Sequence, residues 1–139
     1  MIGAIICRQK IRLAFTALNA RNVDSFISSW AEDAVFIYPG KLSISGEFRG
    51  KAAIKSWFSY FLDQFPDYEF TLNKVTVSNL FDLIGTNTVT VEWQMKGKNR
   101  QGFEFTNNGV TVVDIVLTKP TRIKDFVFDY DMLRTAWGE

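Results

Sequence analysis

The stretch that decides the fold runs from Thr86 to Leu117. It reads Thr86-Asn87-Thr88-Val89-Thr90-Val91-Glu92-Trp93-Gln94-Met95-Lys96, then a Gly97–Gly102 turn, then Phe103-Glu104-Phe105-Thr106-Asn107-Asn108-Gly109-Val110-Thr111-Val112-Val113-Asp114-Ile115-Val116-Leu117. β-Branched and aromatic residues dominate both arms, and Gly and Asn mark the break, so the pattern predicts two long strands. Moving outward, Tyr68–Val77 before this stretch and Arg122–Asp131 after it have the same character. A turn at Thr118–Thr121 separates the last two strands, giving a meander of four long antiparallel strands.

Upstream the hydrophobic period changes from two to about 3.6. Cys7, Ile11, Ala14, Phe15 and Leu18 form one helical stripe. Asn22 can cap a second helix carrying Val23, Phe26, Ile27 and Trp30, with Asp24 favourable in its first turn. A strand at Ala34–Tyr38 ends at Pro39-Gly40, and Glu47-Phe48-Arg49 is a short extended piece between Gly46 and Gly50. A third helix runs from Lys51 to Gln64, where Ile54, Trp57, Phe58, Phe61 and Leu62 cover a broad face, and Phe65-Pro66-Asp67 stops it. Helices first and strands afterwards make an α+β fold. Three N-terminal helices pack on a curved, mostly antiparallel sheet and leave a cone-shaped, apolar pocket between the layers.

Composition narrows the function. The chain has 139 residues, 47% of them apolar, with 13 Phe, 4 Trp and 4 Tyr, which suits one domain over 1–139 with a substantial core. No stretch approaches a membrane span. The 16 Lys and Arg nearly balance the 15 Asp and Glu, so no electrostatic footprint for nucleic acid is present. Histidine is absent, which removes His-dependent nucleophile systems and most zinc sites. Cys7 is the one cysteine, so no internal disulfide can form. No metal or cofactor is called for, and any acid–base work falls to Asp, Glu, Tyr or Lys. The opening Met1–Cys7 is too short and too soon charged for a signal peptide, which predicts a cytoplasmic protein.

Several short motifs carry a resemblance. Trp30-Ala31-Glu32-Asp33-Ala34-Val35-Phe36, Gly46-Glu47-Phe48-Arg49-Gly50-Lys51-Ala52-Ala53-Ile54, Phe65-Pro66-Asp67, Asn108-Gly109-Val110 and Arg122-Ile123 through Asp131-Met132-Leu133 occur in order. Together they resemble SnoaL-like domains of the nuclear transport factor two-like superfamily, over the chain from about residue 8. That fold hosts cyclases, isomerases, epoxide hydrolases and non-catalytic binders. The resemblance to ketosteroid isomerases puts Tyr38 where their general-base Asp stands and Ala14-Phe15 where their oxyanion Tyr stands. Their oxyanion Asp aligns with Asp114. In the limonene-type epoxide hydrolases the Arg and first Asp line up on Thr90 and Glu92, and the second Asp on Phe128 or Asp129. The Asp of SnoaL-type polyketide cyclases falls at that same Phe128/Asp129 position.

Asp114 stands out from the residues alone. Val110, Val112 and Val116 share its face, with Val113, Ile115 and Leu117 opposite. An ionised carboxylate there must be paired, open onto a cavity, or protonated. One reading makes Asp114 a pocket acid, and the other makes it an acceptor for a nearby Arg or Tyr or places it on an exposed edge. The last strand offers Asp125, Asp129 and Asp131 on one face and Phe126, Phe128 and Tyr130 on the other. It reads as an acidic wet face backed by aromatic core. Glu92 reads as facing solvent or a partner.

The expected site therefore has Asp114 and Asp129 as catalytic candidates, with Tyr38, Trp30, Trp57, Phe61, Val112 and Phe128 around a ligand. That ligand is a small hydrophobic carbonyl or polycyclic compound, bound for isomerase- or cyclase-type chemistry, or else without catalysis. Apolar residues on both faces of the long strands also predict a homodimer packed through its sheets.

Overall fold

In the computed structural model, which describes residues 1–139, the elements run α1 (Ile2–Asn19), α2 (Val23–Ile27), β1 (Val35–Tyr38), β2 (Gly46–Arg49), α3 (Lys51–Gln64), β3 (Asp67–Val77), β4 (Asn87–Lys98), β5 (Glu104–Val116), β6 (Lys119–Val127) and α4 (Tyr130–Ala136). The strands form one sheet in the order β2-β1-β6-β5-β4-β3. Only the β1–β6 pair is parallel. This is the α+β architecture expected from the sequence, and the sheet's apolar face holds the core with the helices.

Local chemistry accounts for the helix ends. The Asn22 side chain accepts from Ser25 N–H at 3.0 Å and caps α2 as its sequence position predicts. Arg21 ends α1 with a left-handed φ of 61°, and its guanidinium donates to the carbonyls of Phe65 (2.7 Å) and Leu62 (2.9 Å). One side chain thus satisfies two carbonyls at the end of α3, and Gln64 O accepts from Arg100 N–H. Asn19 exchanges two hydrogen bonds with the backbone of Phe70, at 2.9 and 2.8 Å, docking α1 onto β3.

Helix α1 starts at Ile2 rather than near Cys7. Gly3 and Ala4 are buried, but they are too small to register as a hydrophobic stripe. A Cβ on Gly3 would lie 2.5 Å from the backbone nitrogen of Gly85, so only glycine permits this approach. The β5–β6 connection is tighter than the expected Thr118–Thr121 turn. Leu117 and Thr118 both take positive φ (46° and 69°), and pairing resumes at Lys119. Register then shifts, with Asp114 opposite Arg122 but Ile115 opposite Pro120, leaving Thr121 as the extra residue.

The main correction lies at the C-terminus. The last strand ends at Val127, not Asp131, and a fourth helix follows. Asp129 is its N-cap, accepting from Met132 N–H at 2.9 Å, with Asp131 in the first turn and Arg134 in the last. Leu133 and Ala136 of α4, with Trp137 just beyond it, are buried and line the space between the helices and the sheet. No helix of the protein is long and apolar enough to cross a membrane.

Candidate functional site

Between α1, α3, α4 and the sheet lies a cavity of about 70 Å³, and 22 of its 26 lining residues are hydrophobic. The few polar atoms therefore carry whatever chemistry it has. Trp30, Tyr38, Trp57 and Phe61 line it, on the loop after α2, the end of β1 and the inner face of α3. Their rings form one network of edge-to-face, tilted and stacked pairs with Phe36 and Phe58. Trp57 donates its indole N–H to the Ile44 carbonyl at 2.9 Å, which fixes the ring.

Residues of odd number on β5 face inward: Phe105, Asn107, Thr111 and Val113 all line the cavity. Pairing carries that face across the sheet, since Thr111 lies opposite Asp125 and Val113 opposite Ile123. Asp125 thus enters an apolar cavity as its single carboxyl group, and no Lys or Arg lines the space with it. Thr111 Oγ1 donates to Asp125 Oδ1 at 2.6 Å and accepts from Trp93 Nε1 at 2.9 Å. The relay satisfies the tryptophan, the threonine and one carboxylate oxygen. Burial pushes the Asp125 carboxyl up to about 7, against the opposing hydrogen bond from Thr111.

Tyr38 supplies the second polar group. Its hydroxyl oxygen accepts from Trp137 Nε1 at 3.0 Å, which leaves its own O–H free to donate. Burial raises its ionisation well above the ordinary range, the Trp137 bond pulls it back, and the Asp125 charge adds to the rise. Tyr38 is therefore a donor, never a phenolate, near neutral pH. Asn107 is already committed. Its amide donates to the Asp129 carbonyl at 2.9 Å and its oxygen accepts from Asn108 and Asp129 N–H, which anchors the start of α4.

Four of the residues expected at the site thus stand away from the cavity, each for a geometric reason. Asp114 and Val112 have even numbers on β5 and point to the opposite face of the sheet. There Thr88 Oγ1 donates to Asp114 Oδ1 at 2.9 Å across the β4–β5 pair. Asp129 is spent as the α4 cap, and Phe128, beyond the end of β6, is 83% exposed. The face assignment of the last strand is inverted as well. Asp125 points in, whereas Phe126 is largely exposed. The signal that finds Asp125 is Ile123-Lys124-Asp125-Phe126-Val127, in which the carboxyl shares a period-two face with Ile123 and Val127. Glu92 is exposed on the outer face, as its alternation with Val91 and Trp93 predicts.

Comparison with known proteins follows the same lines. A family model described as a SnoaL-like domain matches residues 11–123. Among solved structures, Bal32a from a soil-derived mobile gene cassette superposes with a TM-score of 0.85 at 18% identity, covering 97% of this chain and 98% of that one. A putative isomerase from Bacillus subtilis gives 0.81 at 24% identity, covering 99% and 96%. A putative polyketide cyclase from Xanthomonas campestris pv. campestris gives 0.76 at 17% identity, covering 97% and 98%. At these identities the likeness is one of fold. No curated protein matches the sequence. With four-fifths of its length matched by the family model and its helices and sheet arranged as in these structures, the chain belongs to the SnoaL-like domain family.

Proposed function

We propose that this protein binds a small, mainly apolar carbonyl compound in the aromatic cavity and moves a proton on it with Asp125. The observation that carries the reading is one carboxyl, poised at about 7, facing an otherwise uncharged cavity beside a free tyrosine O–H. A group with that pKa is part acid and part base at neutral pH, where proton transfer is most efficient. The Asp125 carboxylate would take a proton from the carbon beside the carbonyl, the electron pair moving onto the carbonyl oxygen. The Tyr38 O–H stabilises that oxygen, and return of the proton to another carbon completes an isomerisation. Two structural neighbours, described as a putative isomerase and a putative polyketide cyclase, accord with this class.

Size limits the ligand. Drug-sized ligands bind in pockets of roughly 300 Å³ or more, so the cavity of about 70 Å³ suits a single ring or less. A polycyclic compound would need α4 and Trp137 to move. The test uses cyclohexenone and related single-ring ketones in deuterated water. Binding is read by quenching of the cavity tryptophans, and proton transfer by deuterium entering the position beside the carbonyl. Saturable binding with exchange is expected from the native chain, exchange but not binding should be lost in Asp125→Asn, and both should survive in Asp114→Asn. Exchange that persists in Asp125→Asn overturns the reading. Saturable binding without exchange in the native chain supports the alternative of a non-catalytic binder, which the absence of a second carboxyl in the cavity favours.

A further inference from the structure

The carboxyl group in the cavity has no cation to meet it. Asp125 is the single charged residue lining the space, and it belongs to none of the ion pairs of the fold. Its Oδ1 accepts from Thr111 at 2.6 Å, while its Oδ2 takes part in no hydrogen bond. In the parallel ladder Ile37 of β1 pairs with Lys124 of β6. The next residue on each strand, Tyr38 and Asp125, therefore projects inward beside the other.

The walls around this carboxyl are aromatic, and half of the 26 lining residues are Phe, Trp or Tyr. The Tyr38 ring packs on Phe36, Trp57 and Trp137 at centroid distances of 6.1, 4.6 and 6.0 Å. The negative face of an aromatic ring attracts a cation within about 6 Å of its centroid, most strongly where water is excluded. The protein's own cations leave these faces unused. Arg21 lies over Tyr68 and Lys124 over Phe126, and neither of those rings lines the cavity. A neutral ligand leaves an ionised Asp125 uncompensated among apolar groups, whereas a cation compensates it and meets ring faces at the same time.

We propose that the cavity is a receptor for a small organic cation, a tertiary or quaternary ammonium whose nitrogen stands against Asp125 and whose carbon substituents meet the aromatic walls. The free acceptors select the type of ammonium. A primary ammonium brings three N–H donors. Asn107 Oδ1 already accepts two N–H groups and Thr111 Oγ1 accepts from Trp93, so the cavity has little beyond Asp125 Oδ2 to offer them. Unpaired donors in an apolar space are costly. A tertiary ammonium has one N–H for Oδ2, and a quaternary one has none to satisfy. The proposal rests on the placement of Asp125 used in the proton-transfer reading, and it needs no chemistry from that reading.

Bound cation and carboxyl proton compete. Asp125 titrates near 7, and Tyr38 on β1, the other titratable group lining the cavity, stays neutral there. The helices, β4 and β5 contribute no titratable side chain to the lining.

The experiment titrates the full chain with choline, with its uncharged carbon isostere 3,3-dimethylbutan-1-ol and with ethanolamine, read by tryptophan fluorescence. At pH 8 choline should bind at least about tenfold more tightly than either of the others. From pH 6 to pH 8 its binding should strengthen roughly tenfold as Asp125 ionises, while the alcohol changes by less than about twofold. Asp125→Asn should remove choline's advantage and its pH dependence and keep the binding of the alcohol, which shows the cavity intact. In the native chain, carboxyl chemical shifts should show Asp125 titrating lower with choline bound and unmoved by the alcohol. Choline that binds no more tightly than the alcohol at pH 8, or equally well to Asp125→Asn, overturns the proposal, and so does ethanolamine that matches choline. Deuterium exchange on cyclohexenone is read separately. Exchange without choline binding leaves the proton-transfer reading standing alone, and choline binding without exchange leaves the cation receptor standing alone.

Discussion

Thr111 on β5 and Asp125 on β6 lie directly opposite each other, and their side chains meet at 2.6 Å on the cavity side of the sheet. The threonine hydroxyl donates to the carboxylate while its oxygen accepts from Trp93 Nε1. That direction favours the ionised form of Asp125, while its apolar surroundings favour the neutral form, and burial wins.

Stability should therefore depend on pH through Asp125. Its carboxyl titrates near 7 in the folded chain, above the ordinary 3.8. Between those values the folded state holds a proton that the unfolded state has lost, so stability falls as pH rises from about 4 to about 7 and is level beyond. Asp125→Asn keeps the acceptor for Thr111 and removes the titration. Its stability relative to the native chain should be near zero at pH 4 and rise to on the order of 2–4 kcal/mol at pH 8. Urea denaturation at the two pH values measures this, and an equal loss at both would contradict it.

Thr111→Val should cost about 1–3 kcal/mol, because the buried Trp93 N–H loses its acceptor. It should also raise the Asp125 titration further, since the bond that favours its ionised form is gone. Carboxyl chemical shifts followed by NMR against pH report the second effect separately from the first.

Trp137 walls the cavity, with edge-to-face or tilted contacts to Tyr38, Trp57 and Phe65. Trp137→Ala should cost about 3–5 kcal/mol and should let a larger apolar molecule enter. Thermal midpoint and the binding of a naphthalene-sized fluorescent probe check both halves. Unchanged probe binding would show that Trp137 does not limit the cavity's size.

Gly109 sits beneath the Trp93 ring, where a Cβ would stand 2.3 Å from Cζ2 and 2.6 Å from the Phe126 carbonyl oxygen. Gly109→Ala must displace either the ring or the β6 backbone, and it should destabilise by about 1–3 kcal/mol. Displacing Trp93 should also disturb Thr111, so the Asp125 titration should move in this variant too. Urea denaturation and the same NMR titration check the two effects.

Asp114→Asn provides the contrast. The amide oxygen still accepts from Thr88 on the outer face, so stability should stay within about 0.5 kcal/mol of the native chain. A large loss by chemical denaturation would mean that Asp114 has a partner beyond Thr88.

The sequence by itself determined the elements: α3 runs from Lys51 to Gln64 and Asn22 caps α2, because periodicity, caps and glycine stops are local signals that packing did not override. The long strands were readable for the same reason, and so were the cavity aromatics Trp30, Tyr38, Trp57 and Phe61, since large apolar side chains on inward stripes have nowhere else to go. Even α4 left its marks, in Asp129 as a cap, Arg134 in the last turn and Gly138 beyond, but the run Phe126-Val127-Phe128 extended the strand pattern through them. Tertiary structure alone decided which carboxyl enters the cavity. Alternation says that Asp114 and Val113 face opposite ways, yet not which of them faces the helices when both sides of the strand are apolar. That choice was made by pairing across the sheet. Thr111 and Val113 lie against Asp125 and Ile123, their odd-numbered face turns toward α3, and Asp114 is carried to the outside with Thr88.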